Sequence, residues 1–345
     1  MTSSSGRKKR ATILDVAAVS GISRGTVSRV LNGEPYVSDE AREAVNKAIK
    51  EVGYVPNTAA RNLVRQRSQA VGLLVHEPHS LFLEDPNIGS IMLGANAVLS
   101  QAGYQMVCLI IDSDRDLTRV GQYLNGGSID GAIVISAREN DPITEIIENL
   151  AMPSAFVGSP PNNRRLPFVS IDNKKASSEI TAKLKASGRT QIGMIASALD
   201  RASGADRLEG FKEAMGSSYR PELVAEVGQF SFDAGIAGMR ELLEKCPTVD
   251  AIFAASDAVA AGALSVLQQI GRRVPEDIAV VGFDDSIWAR RTNPPLSTVR
   301  QPASELGAKA AELVLAQLAG EEIDRSGVYL ETSIVWRESV GPAGS

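Results

Sequence analysis

Residues 12–32 read TILDVAAVSGISRGTVSRVLN. Thr12 precedes an apolar-periodic run and Asp15 stands three residues on, the spacing of a capping box. Ile13, Val16 and Ala17 give that first helix one apolar face, and Gly21 breaks it. Ser23 can cap a second helix from Arg24 to about Asn32, with Val27, Val30 and Leu31 facing inward. The polar side of the second helix carries Arg24, Thr26, Ser28 and Arg29. A helix of this kind fits a major groove, where arginine reads guanine with two hydrogen bonds and hydroxyls hold phosphates. A small helical packing module with no nucleic-acid role would have the same geometry.

Working outward, Gly33, Glu34 and Pro35 make a loop. Ser38 caps a third helix, with Asp39 and Glu40 in its first turn. Ala41, Val45, Ala48, Ile49 and Val52 form its apolar stripe, and Gly53 ends it. Asn57 can cap a fourth helix over 58–65, too short and too sparsely apolar to be stable alone. Upstream, Met1–Arg10 is Ser-rich and then basic, with no apolar run behind it. This predicts a disordered basic arm in a cytoplasmic protein rather than a secretory signal. Residues 1–67 net +6, whereas the whole chain nets −5, so the remainder nets −11. A basic head on an acidic body fits a polyanionic partner for the head alone.

From Ser68 the pattern changes to strands alternating with amphipathic helices. Strands are expected at 70–75, 106–111, 131–135, 155–157, 168–171, 192–195, 224–228, 251–254 and 278–283. Helices are expected at 90–102, 177–186, 233–245 and 257–270. That is the rhythm of right-handed βαβ units and parallel sheets. The strands are too many for one compact sheet, so two α/β lobes facing across a cleft are expected, with ligand at the carboxyl ends of the strands. The chain, 345 residues long and 43% hydrophobic, has apolar material for two or three domains. It has no apolar run long enough to span a membrane. Its two cysteines, Cys108 and Cys246, sit in apolar settings and are expected as buried reduced thiols. His76 and His79 flank Glu77 but lack further ligands at metal-site spacing, so they are expected in a solvated or cleft-lining loop with no metal.

The run Asp15-Val16-Ala17, Gly21, Ser23, Thr26 to Asn32, Val37-Ser38, Gly53 to Asn57, Ala59-Ala60 and Leu63 resembles the LacI/GalR family of bacterial repressors. The resemblance continues through Gly131, Asp172-Asn173, Arg207 to Phe211, Ser256-Asp257, Gly282 to Asp285 and Pro295 to Gln301. It implies an all-α helix-turn-helix head and a two-lobed α/β body like the periplasmic sugar-binding proteins, with parallel sheets. The implied layout is an arm at 1–10, a head at 11–57, a hinge at 58–67 and an effector domain at 68–345. Its first lobe takes about 68–171 and 302–330, its second about 172–300 and 331–340.

The resemblance assigns DNA contacts to Arg24, Gly25 and Arg29, although Gly25 has no side chain with which to read a base. Thr12, Ser23, Thr26, Ser28, Asn32, Ser38 and Asn57 match positions that touch phosphates or cap helices. Leu63 matches a hinge leucine that wedges into the minor groove and kinks the duplex, with Ala60 allowing close approach. In the cleft it points to Ser203, Arg207, Phe230, Ser256, Asp284 and Gln301. These suit a polyol: charged groups for hydroxyls and a ring for a sugar's apolar face. Ser256 stands where many members carry asparagine. The loop from Glu77 to Pro86 is longer than usual, as in members with oligosaccharide effectors, and Phe82 and Asp85 are expected to reach the cleft from it.

The expected function is therefore a sequence-specific repressor of double-stranded operator DNA, controlled by a carbohydrate-like effector. It is expected to act as a homodimer; a tetramer is left open but has no strong signal, because the segment after Trp336 is short and lacks a heptad run. No cofactor is expected. A sugar-transport protein would explain the body but not the head. An enzyme would need a nucleophile–base pair or a Gly-rich phosphate loop, and neither stands out.

Overall fold

The computed structural model describes residues 11–55 and 67–341. The basic arm, Asn57, Ala60, Leu63 and nearly all of the expected hinge lie outside the described residues. The chain divides into two compact units, Met1–Ser68 and Gln69–Ser345.

The head contains α1 (Ile13–Ser20), α2 (Arg24–Leu31) and α3 (Asp39–Val52). Its boundaries are set by local chemistry. The capping box at Thr12 is complete: Thr12 Oγ1 accepts from Asp15 N at 3.4 Å, and Asp15 Oδ2 accepts from Thr12 N at 2.7 Å. Ser23 Oγ accepts from Thr26 N at 3.2 Å and Ser38 Oγ from Ala41 N at 3.3 Å. Gly21 and Gly53 end their helices at φ +68° and +63°, backbone that a side chain would strain. Val16, Val27, Val30, Val45 and Ala48 form the buried core of this small unit.

The body holds two six-stranded sheets. The first is built from β1 (Ala70–Val75), β2 (Gln105–Ile110), β3 (Gly131–Ile135), β4 (Ser154–Val157), β5 (Phe168–Ile171) and β11 (Val328–Leu330). Its order is β11-β5-β4-β3-β1-β2, with every pair parallel. The second contains β6 (Ile192–Ser197), β7 (Val224–Val227), β8 (Ala251–Ala254), β9 (Ala279–Asp284), β10 (Ser297–Arg300) and β12 (Ser333–Val335). Its order is β12-β10-β9-β8-β6-β7. The edge strand β12 runs antiparallel to β10, a departure from the expected all-parallel sheet. β1, β3, β5, β6, β8 and β9 are buried along their whole length, as strands covered on both faces must be.

The flanking helices in chain order are α4 (His79–Glu84), α5 (Pro86–Gln101), α6 (Asp114–Asn125), α7 (Pro142–Asn149), α8 (Asn173–Ala186), α9 (Ala202–Met215), α10 (Phe232–Lys245), α11 (Asp257–Gln269), α12 (Ile287–Arg291) and α13 (Ala303–Ala319). The chain leaves the first sheet after β5, returns after β10 to form α13 and β11, then crosses again to β12. α13 packs on α5 at backbone contact: a Cβ on Gly94 would lie 1.8 Å from Ser304 O, and one on Gly307 would lie 2.0 Å from Ile91 O.

Three expectations are corrected here. The segment from Glu77 to Pro86 is not an open loop but holds α4, whose Leu81 is buried. The next helix starts at Pro86 rather than Ser90, because Asp85 Oδ1 caps it from Asn87 N at 2.9 Å and proline suits its first position. Cys108 is exposed on the edge strand β2 and Cys246 is half-buried; both are free thiols. An apolar run on an edge strand has one open flank, which sequence pattern alone does not reveal. Among the described residues no helix is long and apolar enough to cross a membrane.

Candidate functional site

On the head, Arg24, Gly25 and Arg29 are exposed along α2, while Thr26, Ser28 and Asn32 are half-buried. Val27 and Val30 hold the opposite face in the core, so packing fixes which side α2 presents. Arg29 has a loose 4.0 Å approach to Glu34 and a side chain 59% exposed, leaving its donors open to a partner. A Cβ on Gly25 would meet only Ser23 Oγ, at 3.9 Å, so this first-turn surface is open. Thr12, Ser23 and Ser38 spend a hydroxyl lone pair on their caps but keep exposed positions at helix N-termini, where backbone N–H groups favour phosphate.

The body has a cavity of about 130 Å³ between its two sheets. Its lining sits just beyond the carboxyl ends of the strands: Glu77 after β1, Arg201 after β6, Phe230 after β7, Ser256 after β8, Asp284 ending β9 and Gln301 after β10. Six of the eight expected cleft residues line it outright as polar or aromatic wall: Asp85, Ser203, Arg207, Phe230, Asp284 and Gln301. Ser256 lines it too, but its Oγ caps α11 by accepting from Val259 N at 3.3 Å, so part of its capacity is used internally. Phe82 does not line the cavity. Carried on α4, it packs against the hydrophobic core.

Arg207 is the centre of the arrangement. Its Nε donates to Asn173 Oδ1 at 3.0 Å and its Nη1 to Ala255 O at 2.6 Å. Nη1 lies 3.6 Å from Asp284 Oδ1, with both side chains almost fully buried. The guanidinium lies 3.7 Å from the Phe283 ring centroid and 5.4 Å from that of Phe230. These contacts fix the group as a rigid donor. Asp284 also accepts from Gln301 Nε2 at 2.6 Å. It adopts φ +117°, strained for any residue but glycine, of the kind that clusters at ligand sites. Burial pushes the Asp284 carboxyl well above the usual range against the pull of Arg207, and lowers Arg207 itself.

Glu77 and Arg201 are lining residues that sequence reasoning missed. Arg201 Nη2 donates to Glu77 Oε2 at 2.7 Å across 124 positions of chain, with both residues buried. Arg201 Nε and Nη1 are buried without a hydrogen-bond partner, an arrangement that ordinarily means an absent ligand or water. No spacing signal links a glutamate after one strand to an arginine in the other lobe. Trp288, Asn87 and Asn173 also line the cavity and were not anticipated. Of the two histidines, His76 Nδ1 lies 2.8 Å from Asp141 Oδ2 and His79 Nδ1 lies 2.5 Å from Asp112 Oδ2. Neither lines the cavity, and among the described residues no cluster of three or more ligating side chains could hold a metal.

Comparison with known proteins agrees with both units. Residues 12–57 match the bacterial regulatory proteins of the lacI family, and residues 181–340 match the periplasmic binding protein-like domain. The HTH-type transcriptional regulator CelR of Thermobifida fusca is 41% identical over 338 residues, 96% of this chain and 99% of that one. The ribose operon repressor of Halalkalibacterium halodurans is 34% identical over 331 residues, 95% of this chain and 96% of that one. The solved CelR–cellobiose complex superposes with a TM-score of 0.76 at 39% identity, covering 96% of this chain and all of that one. With a helix-turn-helix head, a two-lobed α/β body and identity of this extent along nearly the whole length, the chain belongs to the LacI family of bacterial transcription regulators.

Proposed function

We propose that this regulator is a cytoplasmic repressor whose operator affinity is set by a carbohydrate bound in the cavity between its lobes. The observation that carries the reading is the Arg207–Asp284–Gln301 cluster beside Phe230, at the carboxyl ends of the strands. A guanidinium and a carboxylate already aligned by protein contacts can donate to and accept from vicinal hydroxyls without reorganising, while Phe230 covers an apolar sugar face. CelR, the relative named above, was solved with cellobiose. A ligand touching both lobes changes the relative stability of their arrangements, and that differential affinity is what couples sugar to DNA.

On the head, Arg24 and Arg29 read bases, with Gly25 giving close approach, and Thr12, Ser23, Thr26, Ser28, Asn32 and Ser38 contact or orient phosphates. Asn57, Ala60 and Leu63 carry the hinge contacts that the family resemblance implies. Two copies related by a two-fold axis read the two halves of a palindromic site.

A thermal-shift titration tests the sensor. Cellobiose, maltose, glucose and ribose are added to the full chain and to Arg207→Ala. One or more should raise the wild-type transition saturably, by mass action, and fail to raise that of the variant. A wild-type protein that responds to none of them, or a variant that responds equally, would overturn the assignment.

A further inference from the structure

The two lobes meet beside the cavity in a short row of charges. Glu77 follows β1 and Arg138 follows β3 on the first lobe, whereas Asp200 and Arg201 follow β6 on the second. Arg201 Nη2 donates to Glu77 Oε2 at 2.7 Å, and Arg138 Nη2 reaches the same oxygen at 3.5 Å. Arg138 Nε in turn lies 3.7 Å from Asp200 Oδ2. The row Asp200, Arg138, Glu77, Arg201 thus alternates in sign and carries no net charge, and two of its three contacts join different lobes. Next to it the Glu139 backbone N donates to Asp200 O at 2.8 Å, a further bond between lobes. Glu77 and Arg201 are buried, while the side chains of Arg138 and Asp200 are 32% and 48% exposed.

The segment that starts at Glu77 touches the second lobe again at its far end, where Trp288 Nε1 donates to Glu84 O at 3.4 Å. Between these points it is fixed to its own lobe: Leu81 is buried, and His79 Nδ1 lies 2.5 Å from Asp112 Oδ2. It is an arm of the first lobe rather than a free flap. We propose that Glu77, Arg138, Asp200 and Arg201 form a releasable clasp between the lobes, which sets how long a sugar stays in the cleft. The inference rests on the carbohydrate reading above and adds control of residence time to it. Parting the lobes takes Arg201 from Glu77 but leaves it Arg138, a partner on its own lobe. The carboxylate is therefore stranded in neither arrangement, and the costly half-broken ion pair is avoided. Sugar meets the clasp from the cavity side. Arg201 lines the cavity, and its Nε and Nη1 have no hydrogen-bond partner. A hydroxyl that accepts from them orients the same guanidinium that Glu77 holds.

Two measurements on the full chain test this. Without sugar, residue-resolved hydrogen exchange follows the Glu139 amide, whose acceptor lies on the other lobe. Glu77→Gln keeps the side chain's shape and removes its charge. It should speed that amide about tenfold, the weight of one hydrogen bond to a charged group, while amides of β1 and β6 keep their wild-type rates. Arg201→Lys keeps the charge but not the planar fork; it should speed the same amide and carries the test if Glu77→Gln does not fold. With cellobiose, stopped-flow tryptophan fluorescence gives kon and koff. Glu77→Gln should raise koff about tenfold and leave kon unchanged or faster. Unchanged Glu139 exchange in either folded variant would overturn the clasp, as would weaker cellobiose binding that comes from a slower kon. Failure of cellobiose to bind at all would count against the carbohydrate reading instead, and the exchange measurement would still decide the clasp.

Discussion

Arg207→Ala is the most informative single change, because the residue is both a ligand donor and a structural tie. Removing it strips the buried Asp284 carboxylate of its counter-ion and takes donors from Ala255 O and Asn173 Oδ1. Breaking a buried ion pair from one side costs about 3–5 kcal/mol. The lost contact with Phe283, at 3.7 Å, is worth up to about 2 kcal/mol when desolvated. Water entering the cavity re-solvates part of what is left, so the net loss should be about 4 kcal/mol. For a domain of this size each kcal/mol moves the midpoint by about 2–4 °C, so the body should melt roughly 10 °C lower. Asp284→Asn leaves the arginine unpaired instead. The double variant should cost about 1–3 kcal/mol less than the sum of the singles, because each removes the other's stranded partner. Urea unfolding followed by circular dichroism gives all three values. A loss below about 1 kcal/mol for Arg207→Ala, or strict additivity in the cycle, would refute the view that these two residues form one buried unit.

Three further outcomes follow from the same structure. Burial raises the carboxyls of Glu77, Asp85 and Asp284, and raises Asp257 from 3.8 to about 7. A carboxyl raised in the folded state contributes stability that is full below its unfolded pKa and lost as pH rises through the folded one. The body should therefore melt at a higher temperature at pH 6 than at pH 8, and Asp257→Asn should flatten that slope; a midpoint that rises with pH across this window contradicts it. Arg29→Ala should weaken specific operator binding by about 1–3 kcal/mol in gel shifts while leaving the head's melting unchanged, since its side chain is mostly exposed. Gly307→Ala would place a Cβ 2.0 Å from Ile91 O, so α5 and α13 must part, at a cost of about 1–3 kcal/mol in urea unfolding.

What could be read from sequence divides by range. The helices of the head were legible because their ends are decided within four residues: Thr12 with Asp15, Ser23 with Thr26, Ser38 with Ala41, and glycines at 21 and 53. Long buried strands such as β1 and β9 were legible as apolar runs. β10, β11 and β12 were not, because each is only three or four residues long, below what periodicity can register. The segment around Phe82 reads as a long loop in the sequence, but it holds a short helix, Asp85 caps the next helix at Pro86, and Phe82 turns into the core. In the cavity, Arg207, Asp284 and Gln301 came through family resemblance. Glu77 and Arg201 did not, because their pairing spans two lobes and neither has a local pattern that marks it. Such long-range ion pairs exist only once the topology has been assembled.

The most direct test of the account is operator affinity measured with and without sugar. Fluorescence anisotropy of a labelled palindromic operator duplex is followed as full-length protein is titrated, first alone and then with cellobiose at a concentration shown by thermal shift to saturate the body. If sugar in the interlobe cavity controls the head, the operator Kd should rise by about tenfold or more, a coupling of 1.4 kcal/mol or more, and Asp284→Ala should bind operator tightly whether or not sugar is present. An operator Kd that stays the same while cellobiose saturates the wild-type body would contradict the central claim.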